Sequence, residues 1–160
     1  EILKQIKYVI LDADAINSFQ NRTKKLLKYL DKNKIITPHQ VEFHRLFPII
    51  KKKLNNKEKV LNFLKICKSN ILLKGNTTVI GSPKKIVINK HTSSELAVIG
   101  SGDVLAGIIT SLVGDKKMSI IEAASAATWI HGDIAKRYGK GMISEDLIKG
   151  IPAVLRKLKK

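Results

Sequence analysis

A glycine-flanked turn that leads into an apolar stretch carries a single carboxylate. The turn is Gly100-Ser101-Gly102, and it is followed by Asp103 and then by the apolar residues 104–109. Glycine lets the backbone approach a ligand closely, and a helix N-terminus offers N–H groups and the positive end of its dipole, so the turn favours a phosphate. A carboxylate repels a phosphate unless it takes a proton from a hydroxyl during phosphoryl transfer. Asp103 is therefore a candidate general base, and helix capping is the alternative interpretation.

Length and composition indicate one globular domain. The chain has 160 residues, of which 44% are hydrophobic and 27% are charged, close to the averages of globular proteins. The single cysteine, Cys67, excludes an internal disulfide framework, fits a reducing compartment and is interpreted as an unreactive core residue. Every apolar run is much shorter than the roughly 20 residues that a membrane span needs. We therefore expect a cytoplasmic protein without a membrane partner.

The chain is strongly basic, but its lysines do not form the sequence pattern that is typical of nucleic-acid binding. The formal net charge is +17, but lysines are spread along the whole chain. The densest clusters, Lys51 to Lys53 and Lys157 with Lys159 and Lys160, are not interleaved with the aromatic residues that stack on bases. The pattern favours a solvated lysine surface over a specific nucleic-acid partner. The four histidines and one cysteine have no metal-ligand spacing, and His131 is interpreted as structural.

Strand-like and helix-like segments alternate along the chain. Short apolar runs predict strands at residues 8–11, 34–37, 71–74, 77–80 and 86–88, the last two forming a hairpin. Helical spacing predicts helices at residues 21–30, 40–47, 57–68, 103–113, 120–138 and 145–158. This order is typical of an α/β fold that continues into a small hairpin and a helical tail.

Four ordered motifs resemble those of one enzyme family. They are Leu11-Asp12-Ala13-Asp14-Ala15-Ile16-Asn17, Ile36-Thr37-Pro38-His39, Leu73-Lys74-Gly75-Asn76-Thr77-Thr78 and Gly100-Ser101-Gly102-Asp103. Their types and order resemble the ADP/ATP-dependent NAD(P)H-hydrate dehydratases of the ribokinase-like superfamily. The resemblance implies a three-layer α/β/α fold that is N-terminally truncated, with residues 1–160 forming the C-terminal portion of one domain. It also implies an upstream polypeptide as partner, and it leaves homo-oligomers open.

The resemblance also implies which residues act. Asp103 is expected to be the catalytic base and to contact hydrated NADH or NADPH together with His39. ATP or ADP with Mg²⁺ is the implied cofactor, and Asp12 and Asp14 are the candidates for an indirect Mg²⁺ contact. The nucleotide-binding residues are expected to be Lys74, Gly75, Asn76, Thr77, Thr78, Gly100, Ser101 and Gly102.

Two stretches depart from the pattern of that family. Gln40-Val41 stands where the family has proline and glycine, and Ser93-Ser94-Glu95 replaces its Asn-Pro-Gly. Beside the dehydratase, two further functions stay open. One is a small-molecule kinase of the same superfamily, and the other is a non-catalytic remnant or basic binding module. A partial domain is also expected to depend on its missing part for activity.

Overall fold

A five-stranded sheet forms the centre of the molecule. A computed structural model describes residues 2–158, so Lys159 and Lys160 of the C-terminal lysine cluster lie outside the described residues. The strands stand side by side in chain order: β1 (Val9–Leu11), β2 (Lys34–Ile36), β3 (Asn70–Leu73), β4 (Thr78–Gly81) and β5 (Ile86–Asn89). β1, β2 and β3 are parallel, whereas β4 pairs antiparallel with both β3 and β5. The predicted hairpin is confirmed.

Helices cover both faces of this sheet. They are α1 (Ile2–Gln5), α2 (Ala13–Asn17), α3 (Thr23–Leu27), α4 (Gln40–Leu46), α5 (Asn56–Ile66), α6 (Ser101–Gly114), α7 (Ile120–Tyr138) and α8 (Ser144–Leu158), with a 3₁₀ turn at Ser94–Leu96. Successive strand residues point to opposite faces, so Ile35 packs with α6, α7 and α8, while Ile36 packs with α2, α3, α4 and α5. The result is the predicted three-layer α/β/α arrangement.

Most differences from the sequence prediction lie at the ends of elements. The predicted helix at residues 21–30 is regular only at Thr23–Leu27, and the helix predicted at 57–68 runs from Asn56 to Ile66. Asn55 caps that helix, and the extended backbone of Cys67 ends it. The short helices α1 and α2 were not predicted, because four or five residues do not establish a helical period. Burial raises the pKa of the Cys67 thiol, in agreement with an unreactive core residue.

Two apolar depressions flank the β1 end of the molecule. β1 pairs only with β2 within the described residues, and a cavity of about 750 Å³ beside it is lined by Leu3, Val9, Leu11 and Phe19 among others. On the opposite face, a groove of about 430 Å³ runs between α6 and α8. Unpaired strand edges and apolar depressions of this kind are surfaces that another polypeptide segment can cover. Between residues 2 and 158, no helix is both long enough and apolar enough to cross a membrane.

The helix α7 comes unusually close to the loop that follows β5. A Cβ atom added at Gly132 would lie 1.8 Å from the carbonyl oxygen of His91 and 3.5 Å from the Cα atom of Thr92. The ring of His91 also stacks on Trp129, with ring centroids 5.1 Å apart. This loop is therefore held against α7 by a contact that only glycine permits.

We expect Gly132→Ala to lower the free energy of unfolding by about 1–3 kcal/mol or more, because the added methyl group must displace backbone atoms. The matched control is Gly107→Ala in α6, where an added Cβ meets nothing within 4 Å and where alanine favours the helix by up to about 1 kcal/mol. Urea unfolding of both variants measures the difference. Equal effects at the two positions would contradict the close contact at Gly132.

Candidate active site

The carboxyl ends of the parallel strands meet the start of α6. Asp12 follows β1 and Lys74 follows β3, and the Nζ atom of Lys74 lies 2.7 Å from the Oδ1 atom of Asp12. The two side chains are only 24% and 12% exposed, so this ion pair is largely shielded from water. Ligands of open α/β sheets bind at this end of the strands. The Asp12–Lys74 pair therefore marks the candidate site.

Hydrogen bonds between the connecting loops fix this pair. The Thr37 hydroxyl donates to the carbonyl oxygen of Leu11 (3.0 Å), and the backbone N–H of Lys74 donates to the carbonyl oxygen of Pro38 (2.9 Å). These bonds join the ends of β1, β2 and β3 just before the chain turns away from the sheet. Asp12 and Lys74 are thus placed by backbone contacts as well as by their mutual attraction.

The N-terminus of α6 lies directly against the ion pair. A Cβ atom at Gly102 would lie 3.2 Å from the Oδ2 atom of Asp12 and 3.4 Å from the Nζ atom of Lys74. Gly100, with a φ of 83°, is the N-cap of the helix, and the Ser101 hydroxyl donates to the carbonyl oxygen of Leu96 (2.7 Å). The first N–H groups of α6 and the Lys74 ammonium consequently face one region, where they are able to attract an anion.

A cavity of about 780 Å³ opens beside this point. Its wall contains most of the residues that the sequence singled out, namely His39, Lys74, Gly75, Asn76, Thr78, Ser101 and Gly102. Ser93 and Ser94, from the loop that departs from the family pattern, also line it, as does Gln40. Thr92 and Thr128 also line the cavity and were not predicted, because isolated threonines on a loop and a helix carry no recognisable sequence signal.

His39 caps a helix and faces this cavity. Its Nδ1 atom accepts hydrogen bonds from the backbone N–H groups of Val41 (3.1 Å) and Glu42 (3.2 Å), and the Glu42 carboxylate accepts one from the His39 backbone N–H (2.9 Å). The Nδ1 atom therefore acts as an acceptor, and the Nε2 atom lies 3.6 Å from the Oε1 atom of Glu42. The His39 side chain is 51% exposed, so part of the ring remains accessible from the cavity.

Asp103 lies one residue beyond Gly102 but outside the wall of the cavity. It occupies the first turn of α6, is exposed, and borders the apolar groove between α6 and α8. Its carboxylate has no hydrogen-bond or ion-pair partner within residues 2–158. The alternative interpretation of Asp103 as the helix cap is wrong, because Gly100 holds that position and no side chain caps the helix.

His131 is a buried imidazole in the cavity wall. Burial lowers its pKa to about 4, the Ser101 backbone opposes this shift by a hydrogen bond, and the Lys74 charge adds to it. The ring is 4% exposed, and its Nε2 atom has no hydrogen-bond partner among the residues that the structure describes. The predicted structural role of His131 agrees with its burial, while its place in the wall adds a neutral polar group to the site.

Three predicted residues lie at the margin of the site. Asp14 is exposed in the first turn of α2, Thr77 borders a neighbouring depression with Asn56, and Gly100 contacts Ser144. Over residues 2–158 there is no group of three or more histidine, cysteine, aspartate or glutamate side chains that could hold a metal ion. A Mg²⁺ ion at this site would therefore take most of its ligands from phosphate oxygens and water.

The sheet order, the helical layers and the anion-attracting end of α6 define a protein of ribokinase-like fold. A ribokinase-like superfamily protein from Enterococcus faecalis is similar over 98% of this chain, with a TM-score of 0.80 and 25% identity. The family model described as NAD(P)H-hydrate dehydratase matches residues 1–153, and the chain belongs to this family.

Individual relatives agree with this assignment. An ADP-dependent (S)-NAD(P)H-hydrate dehydratase from Neisseria meningitidis is 38% identical over 134 residues, which is 81% of this chain and 45% of the relative. The ADP/ATP-dependent NAD(P)H-hydrate dehydratase of Bacillus subtilis, crystallised with ATP/Mg²⁺ and soaked with CoA, has a TM-score of 0.71 and 26% identity. That match covers 94% of this chain and 56% of the Bacillus protein. The chain thus spans about half the length of these relatives.

The buried state of His131 predicts a pH-dependent stability. The pKa is about 4 in the folded protein and 6.5 in an ordinary histidine, so between these values the folded state binds fewer protons than the unfolded state. The free energy of unfolding should therefore have its full value above pH 6.5 and fall by up to about 3 kcal/mol as the pH drops toward 4.

Urea unfolding of the protein and of His131→Gln across this range isolates the effect, because every other titrating group is common to both. The difference between the two curves should grow as the pH falls. A proton NMR titration of His131 with a midpoint near 6.5 would contradict the prediction.

Proposed function

We propose that this chain carries the nucleotide site and catalytic base for ADP- or ATP-dependent dehydration of hydrated NADH or NADPH. The observation that carries the proposal is the start of α6, where Gly102 lies against the Asp12–Lys74 pair beside a cavity of about 780 Å³. Membership of the NAD(P)H-hydrate dehydratase family supports the choice of substrate. The activity of the Neisseria and Bacillus relatives is thereby proposed for this protein.

The proposed reaction has two steps. The hydroxyl oxygen of the hydrate attacks the terminal phosphoryl group of the nucleotide, the bond to the leaving phosphate oxygen breaks, and Asp103 takes the hydroxyl proton. The ring nitrogen then donates its electron pair, the C–O bond breaks and phosphate leaves. Loss of a proton from the adjacent carbon restores the double bond of NADH or NADPH. Phosphorylation thus converts a poor leaving group into a good one.

The environment of Asp103 suits a proton acceptor. Its carboxylate is exposed and is not tied to any cation in the structure between residues 2 and 158. Asp103 lies in the first turn of α6, one residue beyond Gly102. In our proposal the hydrate lies between Asp103 and the exposed part of the His39 ring, and the first N–H groups of α6 stabilise charge on the transferring oxygens.

We place the nucleotide phosphates at the turn after β3 and at the start of α6. Lys74, Gly75, Asn76, Thr77 and Thr78 form the first part, and Gly100, Ser101 and Gly102 form the second. Because Asp12 already pairs with Lys74, it acts on a hydrated Mg²⁺ through water at most, and Asp14 is a second candidate for such a contact. Bound Mg²⁺ supplies neutralising charge to the transferring phosphoryl group.

We also propose that residues 1–160 act as the C-terminal portion of a larger ribokinase-like unit. The unpaired side of β1, its apolar cavity and the groove between α6 and α8 offer surface for additional strands and helices. The Bacillus relative, of which this chain covers 56%, contains further chain of suitable length. An upstream polypeptide is the proposed occupant, and a second copy of this chain is the competing one.

Replacement of Asp103 tests the proposed chemistry. Asp103→Asn should lower the nucleotide-dependent recovery of NADH absorbance from hydrated NADH by about 10² to 10⁴-fold, because the base is lost while the size is kept. Asp115→Asn is the matched control, since Asp115 is an exposed carboxylate at the other end of the same helix. The control should keep its activity.

The assay should be run on the chain alone and with the polypeptide encoded upstream of it. Recovery that requires the upstream polypeptide supports the larger unit, and size-exclusion chromatography distinguishes that complex from a homo-oligomer. A stable phosphorylated product without recovery of NADH would instead favour a small-molecule kinase. Equal activity of Asp103→Asn and Asp115→Asn would refute the role of Asp103.

A further inference from the structure

The turn between β3 and β4, residues 74–77, has an unusual set of hydrogen bonds. All four consecutive carbonyl oxygens accept a hydrogen bond from a side chain. The donors are Gln40 Nε2 to Lys74 O (3.3 Å), Thr78 Oγ1 to Gly75 O (3.3 Å), Thr92 Oγ1 to Asn76 O (2.9 Å) and Asn56 Nδ2 to Thr77 O (2.7 Å). We call this segment the β3–β4 turn.

These hydrogen bonds occupy the carbonyl oxygens of the turn and leave its backbone N–H groups available to a ligand. The carbonyl oxygens, which repel phosphate, are occupied by side chains from α4, α5 and the loop after β5. Within residues 2–158 the backbone N–H groups of Gly75, Asn76 and Thr77 donate to no acceptor. Successive free N–H groups in a turn form a concave site for anions. The side-chain donors thus bias the turn toward an anionic ligand.

A buried lysine sets the orientation of Gln40 in this network. Lys59 is 6% exposed, and its Nζ atom donates to the Oε1 atom of Gln40 (2.8 Å). An ammonium group only donates hydrogen bonds, so the Gln40 oxygen must face Lys59 and its Nε2 atom must face the other way. On that side, Nε2 donates to the Oδ1 atom of Asn56 (2.8 Å) as well as to the turn.

The orientation of the Gln40 amide in turn fixes the orientation of the Asn56 amide. Because the Asn56 Oδ1 atom accepts from Gln40, its Nδ2 atom is the end that donates to the Thr77 carbonyl oxygen. A Cβ atom at Gly75 would lie 2.9 Å from this Nδ2 atom, so the turn and the amide are in close contact. Lys59, Gln40, Asn56 and the turn form one chain of hydrogen bonds with a fixed direction.

We propose that Gln40 is a positioning residue that holds the β3–β4 turn in the shape that binds phosphate groups of a nucleotide. The identity of the ligand in this inference rests on the proposed function, whereas the hydrogen bonds described above are independent of it. A positioning role for Gln40 also gives a function to one departure from the family pattern.

Gln40→Glu is the decisive variant. A glutamate keeps an oxygen for Lys59, and therefore the fold, but it cannot donate to Asn56 or to the Lys74 carbonyl oxygen. Gln20→Glu is the matched control, because Gln20 is exposed and the change of charge is the same. Asn56→Asp removes the donor to Thr77 and serves as a second variant. Thermal unfolding checks that all four proteins are folded.

Two measurements read out the effect. ¹⁵N relaxation reports the order of Gly75, Asn76 and Thr77 without any ligand, and isothermal titration with ATP and Mg²⁺ reports nucleotide affinity. We expect order parameters near 0.85 in the protein and in Gln20→Glu, and values falling toward about 0.6 in Gln40→Glu and Asn56→Asp. ATP affinity should fall roughly three- to tenfold in the same two variants.

The outcomes separate this inference from the proposed function. Loss of order in the turn without ATP binding by any of the proteins would uphold the positioning role and refute nucleotide binding by this chain. Unchanged order in Gln40→Glu would overturn the inference, whatever the affinity for ATP. ATP affinity that falls equally in Gln20→Glu would also overturn it, because charge alone would then explain the effect.

Discussion

The pairing of Asp12 with Lys74 is the contact on which the arrangement of the site depends. It joins the ends of β1 and β3 across the intervening β2, and it is shielded from water, so breaking it would leave a largely buried charge without a partner. The start of α6 lies against this pair, and a Cβ atom at Gly102 would be 3.2 Å from the Oδ2 atom of Asp12. The ends of β1 and β3, the N-terminus of α6 and the cavity therefore all adjoin this one ion pair.

The pairing also changes the expected role of Lys74. From the sequence, this lysine is a free positive charge for a phosphate. In the structure, its ammonium is shared with a carboxylate, so much of the attraction for an anion must come from backbone N–H groups of α6 and of the β3–β4 turn. Backbone N–H groups can bind an anion only where the backbone conformation places them. This explains why so many neighbouring side chains form hydrogen bonds that fix the backbone of the turn.

The fold was largely predictable because its strands and long helices have strong local patterns. Ile35 and Ile36 in β2 and residues 71–73 in β3 form short apolar runs, and α7 was predicted with the bounds that it has. Short helices such as α2 were missed, because four or five residues are too few to establish a helical period. The cavity residues that motifs identify, such as Gly102, were found, and those contributed by long-range packing, such as Thr128, were not. The roles of Asp103 and His39 remain predictions.

The directed chain from Lys59 through Gln40 to Asn56 has a consequence for how this protein can change over generations. Lys59 only donates, whereas Gln40 and Asn56 each accept on one side and donate on the other, so a replacement that removes one donor or acceptor leaves its partner unmatched. Only paired replacements restore the match. Positions 40, 56 and 59 are therefore expected to change together during evolution, although Gln40 is distant from the other two in the sequence.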